Sequence, residues 1–250
     1  MDDRDRFIAH MNEDQPIRPA NILNIVAINQ GRLPLTAETP TAPALDAGAF
    51  AELAAGGHVV VDARSSAAFG AGHVPGAFNI QVENSAFEQR VGWVTPLDAP
   101  LLLVLDDDED AGRAMHKLAF IGLDSRVRGF LAGGMGAWTE PRGDVPQISV
   151  EDLRDRLAHE MQLLDVRPDG DFETAHIEGA HHMDLRILPE RVDELGLEPT
   201  GELFVVCEAG QASSTACGVL LRNGFERVRN VVGGMRAWNA AEAEAKGRDR

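Results

Sequence analysis

The sequence is short of cysteine, short of positive charge and free of long apolar runs, and each shortage removes a class of function. Only Cys207 and Cys217 occur in 250 residues. Two thiols cannot make a disulfide framework, their spacing resembles no zinc knuckle, and a reducing cytoplasm is the expected compartment. Lys and Arg number 23 against 40 Asp and Glu, for a formal net charge of −17 and a pI near 4.8. Nucleic acid is therefore not an expected partner, because gripping a phosphate backbone needs clustered cations. Nowhere do about 18 apolar residues run consecutively, so no membrane span is expected. The amino terminus, Met1 to Arg6, is charged and has no signal-peptide character. What remains is ample for folding, since 44% of residues are hydrophobic, enough for one large or two ordinary cores.

The chain repeats itself. Val59-Val60-Val61-Asp62-Ala63-Arg64, then Phe69, then His73-Val74-Pro75-Gly76-Ala77 is answered by Leu163-Leu164-Asp165-Val166-Arg167, then Phe172, then His176-Ile177-Glu178-Gly179-Ala180. The Asp, Arg, Phe, His, Gly and Ala of the two blocks each lie 103 positions apart. Farther on, Gly133-Gly134-Met135-Gly136-Ala137-Trp138 matches Gly233-Gly234-Met235-Arg236-Ala237-Trp238 at a spacing of 100. Two ordered blocks with so little drift indicate a duplication. Each copy alternates short apolar strands with helical stretches, the pattern of a mostly parallel sheet covered on both faces. Helices are expected over 47–55, 111–121, 150–159 and 213–223. Gly122 and Gly224 end two of them. The expected organisation is an extension and linker over 1–43, a first domain over 44–141, a linker over 142–148, a second domain over 149–240, and a charged tail over 241–250.

These blocks resemble the rhodanese family over residues 44 to 240. The resemblance implies an α/β fold of two tandem rhodanese-like domains and a sulfurtransferase activity. It also implies that the active cysteine follows a central strand and opens a loop leading into a helix. Cys207 stands there, after Leu203-Phe204-Val205-Val206, with the loop Glu208, Ala209, Gly210, Gln211 and Ala212 and a helix start at Ser213. The placement is chemically apt without the family. A cysteine at the carboxyl end of a parallel strand sits where α/β sheets bind ligands. The amides of residues 208 to 213 can form an anion nest there, and the helix adds the positive end of its dipole. Both favour a thiolate, and both favour a persulfide, with no cofactor and no metal. Cys217, in mid-helix among Ala216, Gly218 and Val219, reads as core.

The first copy carries no cysteine; Leu105, or Asp106 with one gap, falls at the equivalent place, so that domain is expected to be inactive and structural. The run Asp106 to Asp110 reads as a solvated acidic loop. His73 and His176 read as loop-ordering groups, because His73 recurs in the copy without a cysteine, and the Asp62–Arg64 and Asp165–Arg167 pairs read as scaffold. Trp138 and Trp238 read as packing.

Some residues depart from the family pattern. Ala212 adds no hydrogen-bond donor, and Glu208 and Asp171 place negative charge where thiosulfate-using members carry basic residues. A thiol persulfide is therefore expected as donor in preference to thiosulfate. The Cys-x5-Arg of related phosphatases is absent, since position 213 is Ser. Finally, the stretch from Arg18 to Gly31 resembles the segment joining a metallo-β-lactamase domain to tandem rhodanese domains. An amphipathic helix packed on the first domain is the alternative. The expected partners are a small sulfur donor, a nucleophilic acceptor, and a metallo-β-lactamase-type persulfide-handling protein. The rival expectation is a non-catalytic binding module that recruits a sulfur-handling or metallohydrolase protein.

Overall fold

The computed structural model describes residues 3–12, 21–32, 36, 40–157 and 161–248. Residues 1–2, 13–20, 33–35, 37–39, 158–160 and 249–250 lie outside them, and with them Arg18 to Ala20 and the end of the helix expected over 150–159. Two five-stranded, all-parallel sheets fill the rest. The first contains β1 (Ala44–Leu45), β2 (Val59–Asp62), β3 (Phe78–Asn79), β4 (Leu101–Val104) and β5 (Val127–Leu131), in the order β1-β5-β4-β2-β3. The second contains β6 (Gln147–Ile148), β7 (Gln162–Asp165), β8 (His181–His182), β9 (Glu202–Val206) and β10 (Arg227–Val231), in the order β6-β10-β9-β7-β8. The orders are identical, as a duplication requires. Strand β6 lies inside the segment read as a linker, and residues 143 and 145 of that segment bond back to His73 and Gly70 of the first domain.

The apolar runs explain the architecture. Val59–Asp62 and Leu101–Val104 are buried at every position, and β9 is buried from Leu203 onward. A strand covered on both faces has no place for alternating polar residues, so it reads as a continuous apolar run. Asp46, Ser65 and Ser149 accept hydrogen bonds from amides in the first turn of their helices, satisfying donors left open at helix starts. The helix Gly234–Arg248 runs through the charged stretch from 241 to 248.

One core cluster runs through both domains, and a second belongs to the second domain alone. The helix Gln211–Arg222 of the second domain lies against β3 of the first. Gly218 makes the approach possible: a Cβ there would stand 2.8 Å from the Ala77 carbonyl oxygen. Ser214 Oγ donates to Asn79 Oδ1 at 2.6 Å, Thr215 Oγ1 donates to the Asn79 carbonyl at 2.6 Å, and Arg222 donates to the Gly76 carbonyl at 2.7 Å. Ser214, Thr215 and Asn79 are all fully buried, so these bonds form out of water, where leaving either partner alone is costly.

The stretch resembling a fusion-protein linker contains the helix Ile22–Asn29, and that helix packs on the first domain. Asn21 sits over Gly92 and Ile28 over Gly122, two places where a Cβ would collide. Leu23 and Val26 remain exposed.

Candidate active site

Strand β9 is central, hydrogen-bonded to β10 and β7, and Cys207 is the first residue beyond its end. Three elements clamp the loop that follows. The amide of Met235 donates to the Cys207 carbonyl at 2.8 Å and that of Arg236 to the Glu208 carbonyl at 3.0 Å, so the last helix ties the loop carbonyls back. Asn230, fully buried on β10, donates from Nδ2 to the Gly210 carbonyl at 3.0 Å and to Gln147 Oε1 at 2.8 Å. Gly210 turns the chain into the helix Gln211–Arg222 with φ of 87°, a conformation glycine adopts without steric cost.

The sulfur has two partners among the described residues. The Gly210 amide donates to Sγ at 3.1 Å, and Ser213 Oγ lies 3.2 Å away. The Ser213 hydroxyl donates to Asn230 Oδ1 at 2.6 Å. With its hydrogen so committed, its oxygen faces the sulfur. Gly210 and Ser213 thus hold Sγ from within. Glu208, Ala209, Gln211 and Ala212 join Cys207 in lining a cavity of about 410 Å³. Cys207 itself is 3% exposed and lines that cavity.

The first domain supplies part of the wall. Its helix Phe87–Val94 buries Phe87, Val91 and Val94 in the core, while Ala86, Arg90 and Trp93 face the cavity. Each set repeats at four and then three residues, the spacing that puts side chains on one helix face. Two other arginines line the cavity, and both are neutralised locally. Arg167 pairs with Asp165 at 2.7 Å and Arg186 with Asp184 through Nε at 2.9 Å. Arg90 has no carboxylate partner among the described residues, and its Nη1 is buried with no hydrogen bond. Burial pulls its guanidinium below the usual arginine range, opposed by the charge on the Cys207 sulfur. Sequence reasoning missed Arg90: it belongs to a segment outside both repeated blocks, and nothing local marks it.

The equivalent position in the first domain is Leu105. Val166 N donates to the Val206 carbonyl just as Ala63 N donates to that of Val104, which aligns Cys207 with Leu105. Gly134 presses on the Leu105 carbonyl as Gly234 presses on that of Cys207. Asp106 to Glu109 form an exposed loop, in which Asp107 caps Glu109 and Asp108 accepts from the Gly133 amide. No group of three or more metal-ligating residues occurs among the described residues.

The paired motif residues form scaffold. Arg64 bonds Asp62 and the Gly72 carbonyl, and Arg167 bonds Asp165 and the Ala175 carbonyl. His73 and His176 each donate from Nδ1 to the carbonyl of the preceding Phe, and each stacks on that ring. Cys217 is fully buried, and burial pushes its thiol well above the ordinary cysteine range.

Residues 46–141 and 149–241 both match the Rhodanese-like domain family, and the chain belongs to the rhodanese family. It is 33% identical over 114 residues to "Putative sulfur carrier protein YrkF" of Bacillus subtilis, covering 45% of this chain and 60% of that one. It is 30% identical over 96 residues to a protein named "Sulfurtransferase" of Allochromatium vinosum, covering 38% of this chain and 88% of the other. The chain therefore spans less than two thirds of YrkF. Among solved structures, a rhodanese-like domain protein from Staphylococcus aureus matches at 26% identity and a TM-score of 0.35, over 38% of this chain and 91% of that one. No helix among the described residues is long and apolar enough to cross a membrane.

Proposed function

We propose that the protein is a sulfurtransferase that carries sulfane sulfur as a persulfide on Cys207. The observation that carries this reading is the sulfur at the end of β9, held by the Gly210 amide and opening into a cavity large enough for a small donor. The Cys207 thiolate attacks the outer sulfur of the donor. An Sγ–S bond forms, the donor's own S–S bond breaks, and the donor departs as a thiolate with the electron pair. The outer sulfur of the persulfide then extends into the cavity, where loop amides from Glu208 to Ser213 cradle its charge in the manner of an oxyanion hole. A nucleophilic acceptor attacks that outer sulfur and releases the Cys207 thiolate. A small-thiol persulfide serves as donor in preference to thiosulfate, for the loop itself brings only Glu208 and the bare Ala212.

Intact-protein mass spectrometry after incubation with glutathione persulfide tests the reading. The wild type is expected to gain one sulfur atom, Cys217→Ser to gain it equally, and Cys207→Ser to gain none. Failure of the wild type to gain sulfur, or gain by Cys207→Ser, overturns it.

A second reading is a non-catalytic module that binds a metallo-β-lactamase-type persulfide-handling protein. The exposed Leu23 and Val26, on the helix whose sequence resembles a fusion-protein linker, favour it.

A further inference from the structure

The loop around Cys207 lacks the cation that an anionic donor needs, yet the cavity does not. Arg90 reaches it from the domain that has no cysteine, on a helix whose opposite face is fixed in the first domain's core. Every other arginine lining the cavity is matched to a carboxylate two residues before it. The Arg90 side chain is half-buried, and its Nη1 is buried with no hydrogen-bond partner, a state that is costly unless something fills it for part of the working cycle. Asp171 and Glu208 also line the cavity but lie outward, and Glu208 is drawn toward Arg236 at 3.7 Å.

We infer that Arg90 is the anion-recognition group of the Cys207 cavity, so that the donor carries a compact anionic group beside its sulfane sulfur. The inference rests on the sulfurtransferase reading and narrows its substrate class. A planar guanidinium binds a carboxylate or a sulfonate through two parallel N–H donors. Its place beside Cys207 brings the sulfane sulfur toward Sγ while the anionic end stays on Arg90. Arg90 acts here as a positioning residue; it takes no part in bond making. The arrangement also gives the first domain a direct role at the site, since it supplies the one charge that the second domain's loop omits. Two donor chemistries share the required feature: thiosulfate, with its sulfonate, and persulfides of carboxylate-bearing thiols.

The test compares wild type, Arg90→Met and Arg90→Lys with three donors: thiosulfate, glutathione persulfide, and the persulfide of β-mercaptoethanol, which has no second anionic group. Loss of one charge-assisted contact is expected to raise KM for the anionic donors about 10- to 100-fold in Arg90→Met, with the β-mercaptoethanol persulfide changed by less than about twofold. Arg90→Lys, which keeps the charge but not the two-donor fork, recovers only part of the loss. A rise for thiosulfate alone selects the sulfonate, and a rise for glutathione persulfide alone selects the carboxylate. Equal losses for all three donors, or no loss, overturn the inference.

A readout independent of sulfur transfer is the rate at which Cys207 is alkylated by iodoacetate relative to uncharged iodoacetamide. Arg90→Met is expected to lower that ratio about tenfold. If the wild type loads sulfur from none of the donors, the sulfurtransferase reading fails, and this ratio alone decides Arg90: an unchanged ratio overturns its role. Should Arg90→Met fail to fold, inorganic sulfate must still slow alkylation of wild-type Cys207 by iodoacetamide, and absence of protection overturns the inference.

Discussion

Gly234 is pressed so closely on the backbone of Cys207 that a Cβ at position 234 would stand 2.1 Å from the Cys207 carbonyl oxygen. Its φ of +56° adds a second demand that only glycine meets cheaply. Gly134 meets the Leu105 carbonyl in the same way in the first domain. The shared glycine pair is thus a device for bringing the last helix under the loop, whether or not the loop carries a cysteine.

Gly234→Ala is accordingly expected to push the Cys207 loop off the amides of Met235 and Arg236. Overpacking and left-handed strain together cost about 2–5 kcal/mol. Gly136→Ala, where an added Cβ meets nothing within 4 Å, is the control and is expected to be neutral or mildly stabilising. Urea titration of both variants, with sulfur loading of Cys207 measured in parallel, checks this. Equal behaviour of the two would refute it.

Asn79 is expected to matter to Cys207, 128 residues away in sequence, since it holds the helix Gln211–Arg222 to the first domain. Its Oδ1 accepts from Ser214 at 2.6 Å and from Gln81 at 2.5 Å, and its Nδ2 donates to the carbonyls of Asp62 and Arg64. In the second domain His182 holds the matching Arg167 carbonyl at 2.8 Å. Asn79→Ala strands several buried polar groups, for a loss of about 2–4 kcal/mol. The helix Gln211–Arg222 then loosens at its base, and Cys207 loading falls with it. A variant that unfolds less readily than this, with loading intact, would show that the domain contact is incidental to the site.

Much of this was legible before any coordinates. The repeated Asp-x-Arg and His-x-x-Gly-Ala blocks announce two copies of one α/β unit, because strand ends and tight turns tolerate few residue types. Cys207 stood out because a cysteine, a Gly-containing loop and a helix start follow a buried strand. The missing part is what depends on packing between copies. Arg90 sits 117 positions before Cys207, and no local periodicity links them. Helix spacing shows that Ala86, Arg90 and Trp93 share a face, but not that the second domain covers it. The choice between Leu105 and Asp106 was likewise open until the pairing of β2 with β4 set the register.

The two thiols should behave as opposites. Cys207 lines the cavity, whereas Cys217 is fully buried with its thiol pushed toward the neutral form. Ellman's reagent is expected to find one reactive thiol in the native protein, none in native Cys207→Ser, and two in the denatured wild type. Rapid labelling of Cys217 in the native state would contradict its place in the core.

His73 gives the stability of the protein a pH dependence. Burial lowers the pKa of His73 below the ordinary histidine value, with its bond to the Phe69 carbonyl and the charge of Asp62 opposing. His73 is 1% exposed, whereas His176, its counterpart, is exposed. A histidine whose folded pKa is lowered binds its proton more readily in the unfolded chain. Its contribution to stability is therefore complete above about pH 6.5, the unfolded value, and declines as pH falls from there toward the folded value. The slope cannot exceed about 1.4 kcal/mol per pH unit for one proton. Denaturation measured between neutral pH and mild acid is expected to show that decline in the wild type. His73→Gln should flatten it, at the cost of the stacking on Phe69. An undiminished decline in His73→Gln would place the titrating group elsewhere in the chain.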